Sequence, residues 1–181
     1  LTGLLDIPAV RYIRSPSRPQ PNVVSEGVSV INADGAQAYG YTGSGVKVAI
    51  IDMGFDVTNP EISGNIVEAK SFAYPPDITA GGYDEHGTAC AEIILDVAPD
   101  AQLFLFDVDS IVSFSNAVEY ATSLGVDIIS VSLGWVDQPT DGTGLLCEVV
   151  DEAYESGFLV VIAAGNEAEN HWEGVFQDDD S

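Results

Sequence analysis

Three polar residues stand where apolar runs begin or end, and their types could do chemistry together. Asp52 closes the run Val48 to Ile51, His86 precedes Gly87-Thr88-Ala89, and Asn166 closes Val160 to Gly165. Carboxylates and imidazoles can each serve as general acids or bases. A side-chain amide beside small residues and a glycine can donate to a developing oxyanion. Each residue also has a plainer reading. Asp is common in turns because it bonds locally to backbone, a single His is often only a surface or core residue, and Asn tolerates a left-handed turn. A fourth segment, Ser130-Val131-Ser132-Leu133-Gly134, is an apolar strand emerging beside a glycine, able to pair through its backbone with an extended peptide.

The elements needed to position these residues are legible from Gly45 onward. Val46 to Ile51 reads as a β-branched strand, Asn65 to Ala73 as a second strand, and His86 to Leu95 as a helix broken by Val97-Ala98-Pro99-Asp100. Gln102 to Val108 is a strand, and Ser113 to Leu124 is a helix with Ala117, Tyr120, Ala121 and Leu124 on one stripe and Gly125 just past its end. The strand Asp127 to Leu133, the helix Gly144 to Ser156 closed by Gly157, and the strand Phe158 to Ala164 follow. Strands alternating with helices predict an α/β, doubly wound parallel sheet covered on both faces. In such a sheet, ligands collect beyond the carboxyl ends of the strands, where Asp52 and Asn166 are placed.

With 181 residues, 46% of them hydrophobic, the chain is large enough for one domain with a core. Net charge is −24, from 29 acidic and 5 basic residues, the last of them Lys70. Such a surface repels phosphate backbones, so nucleic acid is not an expected partner. No apolar run approaches ~18 residues, so no membrane span is expected. Cys90 and Cys147 are too few for a disulfide framework and read as small buried hydrophobes. Upstream, the apolar cluster Leu4 to Ile13 is separated from the rest by a linker with prolines at 16, 19 and 21. A start at Leu1 and an end in the polar run Gln177 to Ser181 read as an excerpt of a longer protein.

Taken together, the segments resemble the subtilisin-like serine proteases, the subtilases. The resemblance rests on Val48-Ala49-Ile50-Ile51-Asp52-Met53-Gly54, His86-Gly87-Thr88-Ala89-Cys90-Ala91, Ser132-Leu133-Gly134 and Ala163-Ala164-Gly165-Asn166, in family order, over Gly43 to about Asn170. It implies a serine endopeptidase in which His86 is general base and then acid, Asp52 orients it, and Asn166 is the oxyanion donor. It further implies that Ser132, Leu133 and Gly134 bind the peptide backbone and, with Ala163, Ala164 and Gly165, wall the primary specificity pocket. The family's nucleophile lies in a Gly-Thr-Ser motif that follows all of these, and it is missing from this sequence. Residues 22–181 are then the N-terminal part of a catalytic domain. Residues 1–21 are the end of an inhibitory propeptide, with Ile7 to Ile13 as its closing strand, plus a linker processed between Pro21 and Gly27. Peptide or protein substrates, the chain's own propeptide, and a secreted or extracellular setting follow from the same resemblance.

Three departures from the family pattern stand out. Met53 replaces a Ser or Thr that could support Asp52, Glu92 replaces a small residue on a buried helix, and Ile94 to Val97 is too short for the family's calcium loop. No cofactor is required by the resemblance. Structural calcium has one conceivable home at Asp178, Asp179 and Asp180, which read more simply as a solvated acidic tail. The alternative from another class is a catalytically inactive, subtilase-derived binding module. A nucleotide-binding domain is disfavoured because Gly43-Ser44-Gly45 precedes the first strand instead of following it. A metal-dependent hydrolase is disfavoured because no second His or Cys is read at ligand spacing from Asp52 and His86. The sedolisin relatives carry a glutamate in place of the motif histidine, whereas His86 is present.

Overall fold

A computed structural model describes residues 27–79, 84–135, 139 and 142–165. The expected propeptide end and linker, Asn166 and the acidic tail Asp178 to Asp180 lie outside the described residues. Two short helices, α1 (Gly27–Val30) and α2 (Ala33–Ala38), come first. They were not expected, because segments this short carry too few turns for a hydrophobic period to register. Then follow β1 (Lys47–Asp52), β2 (Ile66–Ser71), α3 (Asp84–Val97), β3 (Gln102–Asp107), α4 (Ile111–Ser123), β4 (Ile128–Val131), α5 (Leu145–Glu155) and β5 (Leu159–Ile162).

The five strands form one sheet in the order β2-β3-β1-β4-β5, and every neighbouring pair is parallel. β1 is central, flanked by β3 and β4, so its side chains are buried on both faces. Alternation then decides which side each residue faces. Val48 and Ile50 pack with Leu103 and Leu105 of β3 against Ala91 and Leu95 of α3. Ala49 and Ile51 pack on the opposite side with Phe104 and Phe106 against Phe114, Ala117, Val118 and Ala121 of α4 and Ala153 of α5. One helix covers one face and two cover the other, the doubly wound arrangement the alternating pattern predicts. Asp52 shares the parity of Val48 and Ile50 and therefore emerges on the α3 side.

Helix ends follow local chemistry. Ser110 caps α4: Ser113 N–H donates to Ser110 Oγ at 3.2 Å while Ser110 N–H donates to Ser113 Oγ at 2.9 Å, a reciprocal capping box. Gly125, at φ 62°, ends the same helix, with its N–H donating to the Thr122 carbonyl at 3.0 Å. Helix α3 begins two residues earlier than expected, at Asp84, where Asp84 and Glu85 put negative charge against the helix's positive end. Strands β4 and β5 end earlier than their apolar runs. Ser132 to Trp135 and Ala163 to Gly165 carry no strand assignment, so their backbone leaves the sheet at its carboxyl edge. β5 contributes little burial, with Leu159, Val161 and Ile162 at 54%, 51% and 45% exposure, and the core rests on β1 and β3.

Candidate active site

Asp52 is the last residue of β1 and fully buried. His86 lies in the first turn of α3 with its side chain 53% exposed. Both Asp52 oxygens lie 2.9 Å from His86 Nδ1. A carboxylate has only lone pairs to offer, so the proton of this contact belongs to Nδ1, which leaves the Nε2 lone pair free to accept one. Asp52 Oδ1 also accepts the backbone N–H of Met53 at 2.8 Å. The support that a hydroxyl at position 53 would have given is thus supplied by backbone, and the Met53 side chain points outward, 45% exposed.

The residues after His86 dock the helix on the turn that follows β1. Gly87 is buried so close to that turn that a Cβ there would lie 2.3 Å from the Gly54 carbonyl oxygen. Thr88 Oγ1 accepts the Asp56 N–H at 2.8 Å and donates to the Asp84 carbonyl at 2.5 Å, tying the turn to the helix start. A His-Gly-Thr sequence therefore divides its labour among proton handling, close approach and anchoring. Glu92, one turn further along, has its partner in Asn59, whose Nδ2 donates to Glu92 Oε1 at 2.8 Å.

Cys90 is the residue that sequence reasoning missed. It stands four positions after His86 on α3, which places both side chains on one helix face. One ligating atom each from Asp52, His86 and Cys90 lie within 4.8 Å of one another. This corrects the expectation that no second His or Cys falls at ligand spacing, and it places the half-buried Cys90 beside the Asp52–His86 pair. The i, i+4 spacing was the available signal. Burial pushes the Cys90 thiol up, a hydrogen bond with Ser132 opposes the rise, and the negative charge of Asp52 adds to it.

Strand register explains why Ser132 joins this group. Ile51 pairs with Val131 across β1 and β4, and Ser132, the residue after that pair, hydrogen-bonds with Cys90. Leu133 and Gly134 continue away from it and line a cavity of about 430 Å³ with Phe114, Trp135, Leu146 and Ala163. Of the residues expected to wall a specificity pocket, Leu133, Gly134 and Ala163 line this cavity, whereas Ser132, Ala164 and Gly165 do not. Ala164 and Gly165 are exposed at the same edge of the sheet, and Gly165 has φ 93°, a backbone state that excludes most side chains. The next residue, Asn166, is outside the described set.

The structure thus places an Asp–His pair at the carboxyl edge of a buried parallel sheet, and comparison with known proteins gives the family. The chain belongs to the subtilase family, whose model matches residues 43–178. It is 37% identical over 177 residues to subtilisin E of Bacillus subtilis (strain 168), which covers 88% of this chain and 45% of that protein. It is 33% identical over 183 residues to the major intracellular serine protease of the same organism, covering 91% of this chain and 56% of the relative. Among solved structures, a lanthipeptide protease matches with a TM-score of 0.62 at 25% identity, covering 75% of this chain and 44% of that one. The chain spans about half the length of the relatives it matches. One relative is intracellular by name, so family membership alone does not carry the extracellular setting. Among the described residues, no helix is long and apolar enough to cross a membrane.

Proposed function

We propose that this chain carries the acid–base half of a serine endopeptidase that hydrolyses peptide bonds. The observation that carries the reading is the approach of both Asp52 oxygens to His86 Nδ1 at 2.9 Å, within a subtilase sheet. Asp52 fixes the tautomer and stabilises the imidazolium when it forms. His86 Nε2 takes the proton of the attacking hydroxyl and returns it to the leaving amine. The hydroxyl itself comes from outside these 181 residues, because no serine here has the family's nucleophile motif.

Peptide or protein substrates fit the backbone at Ser132, Leu133 and Gly134, which lies beyond the end of β4 and can pair with an extended chain without demanding particular side chains. Ala164 and Gly165 leave room opposite that segment, and Asn166 is read as the donor to the tetrahedral oxyanion. The steps so assigned use only protein groups and need no cofactor. Residues 1–21 are read as the end of an inhibitory propeptide plus linker, which would make the chain's own N-terminal segment a partner of the site.

The test is peptide hydrolysis by the full-length protein and two variants. Asp52→Asn keeps the shape but removes the negative charge and puts an NH2 donor in place of one oxygen facing Nδ1, which favours the wrong tautomer, and it should lower kcat by about four orders of magnitude. His86→Ala should do at least as much. A full-length protein that binds peptides but hydrolyses none, with or without these changes, would instead be an inactive binding module.

A further inference from the structure

The end of β3 holds a buried acid that the proposed chemistry does not use. Asp107 is fully buried, and in register it is the partner of Asp52 on β1 and of Ser71 on β2. Parity puts its side chain on the α3 face with Leu103 and Leu105, where the core is otherwise apolar. Burial pushes the carboxyl up to about 6 against an opposing hydrogen bond from Ser71, and the charges of Asp77 and Asp109 add to the rise. One oxygen, Oδ1, has no hydrogen-bond partner among the described residues. A carboxylate in such a place costs stability that an apolar side chain of similar volume would not, so its presence is explained by what its other oxygen holds.

Asp107 Oδ2 accepts the Ser71 hydroxyl at 3.0 Å. A hydroxyl has one proton to give, and with it committed to Oδ2 the oxygen is turned to accept, which it does from the Asp77 N–H at 3.0 Å. Asp77 in turn closes a tight turn, its Oδ1 accepting the Thr79 N–H at 3.0 Å and the Thr79 hydroxyl at 2.7 Å. Between those two residues, the Ile78 carbonyl accepts the Phe55 N–H at 2.7 Å. Phe55 belongs to the turn that follows Asp52 and is fully buried, and a Cβ placed on Gly87 would lie 2.8 Å from its Cε1. That turn is also held by the Met53 N–H on Asp52 and the Asp56 N–H on Thr88. Those two contacts lie within the strand and helix that carry the Asp52–His86 pair, whereas the Ile78 contact ties the turn to the segment leaving β2.

We propose that Asp107 is a positioning residue for the Asp52–His86 pair, acting through Ser71, Asp77 and Ile78 to fix the turn on which the start of α3 is seated. Without the anchor, the turn and Gly87 can drift together, and a drift of His86 by a fraction of an ångström misaligns the proton transfer. The peptide-pairing segment Ser132 to Gly134 takes no part in these contacts, so the loss falls on kcat and leaves KM in place. The effect on turnover rests on the proposed function, whereas the anchoring of the turn does not.

The experiment measures peptide hydrolysis and urea unfolding of the full-length protein and its variants well above pH 6, where Asp107 is ionised. Asp107→Leu should unfold at no lower urea concentration than the unaltered protein, yet turn over about tenfold more slowly with KM changed by less than about twofold. Asp107→Asn keeps an acceptor oxygen for the Ser71 hydroxyl and should restore kcat to within about twofold. Ser71→Ala gives the same test at a partly exposed position and should match Asp107→Leu, and the double variant should be no slower than either alone. A readout independent of turnover is the low-field proton resonance of the Asp52–His86 hydrogen bond, identified by its loss in His86→Ala. It should persist in Asp107→Asn and broaden by solvent exchange in Asp107→Leu and Ser71→Ala. An undiminished kcat and resonance in Ser71→Ala, an equal loss in Asp107→Asn, or additive losses in the double variant overturns the anchor. A protein that hydrolyses no peptide but shows this resonance pattern keeps the anchor and loses the protease reading. One that hydrolyses peptides while both readouts ignore Ser71→Ala does the reverse.

Discussion

Substituting Gly87 by alanine tests how closely the helix carrying His86 is docked. The added Cβ would lie 2.3 Å from the Gly54 carbonyl oxygen, 2.8 Å from Phe55 Cε1 and 3.0 Å from Asp52 Cβ, whereas ordinary contact starts at 3.4 Å. The first neighbour is backbone and cannot swing aside, so the start of α3 must retreat by about 1 Å. A hydrogen bond of 2.9 Å between Asp52 and His86 does not survive a shift of that size in its own direction. In the full-length protein, kcat/KM on a peptide substrate should fall about 100-fold. Stability is a poorer readout, because overpacking costs roughly 1–3 kcal/mol while removing a helical glycine returns up to about 1 kcal/mol. The matched control is Gly64→Ala, which meets nothing within 4 Å and needs no positive φ. It should leave both quantities unchanged. A folded Gly87→Ala protein with the kcat/KM of the unaltered enzyme would refute the docking argument.

Other changes probe the frame around the site. Asp107 is fully buried at the end of β3, its Oδ1 has no hydrogen-bond partner among the described residues, and burial raises its pKa to about 6, with the Ser71 hydroxyl opposing. The folded state thus holds this proton more tightly than the unfolded chain, so ionisation destabilises the fold as pH rises from about 4 to 6. Asp107→Asn should therefore gain stability relative to the unaltered protein above pH 6 and lose that advantage near pH 4, as read by urea unfolding at several pH values. Ser110→Ala removes the α4 cap and should cost about 1 kcal/mol with kcat/KM unchanged, since the Ser110 side chain bonds to Ser113 and not to the Asp52–His86 pair. Phe106→Ala empties a fully buried position packed edge-on against Phe72 and Tyr120 and should cost about 3–5 kcal/mol in the same unfolding assay.

The sheet was legible because its strands are nearly unbroken apolar runs punctuated by Gly and Pro, and the end of the first run placed Asp52 at the carboxyl edge. Register between β1 and β4 was not legible, since sequence spacing cannot say which strands become neighbours across the sheet. That is why the place of Ser132 beside Cys90 emerged only in three dimensions. Cys90 was overlooked for a different reason: composition treats a lone cysteine as a small hydrophobe, while the helical period that links it to His86 was there to be applied. Met53 and Glu92 looked like defects because a side-chain substitution is visible in sequence, whereas a compensating backbone N–H or a partner such as Asn59 is not.

The central claim is that Asp52 and His86 arm a serine for attack on a peptide bond. Labelling the full-length protein with a fluorophosphonate, and mapping the modified residue by mass spectrometry, tests it most directly. The account predicts rapid labelling of one serine C-terminal to residue 181, abolished in His86→Ala and strongly slowed in Asp52→Asn. Undiminished labelling in His86→Ala, or none in the unaltered protein, would contradict it.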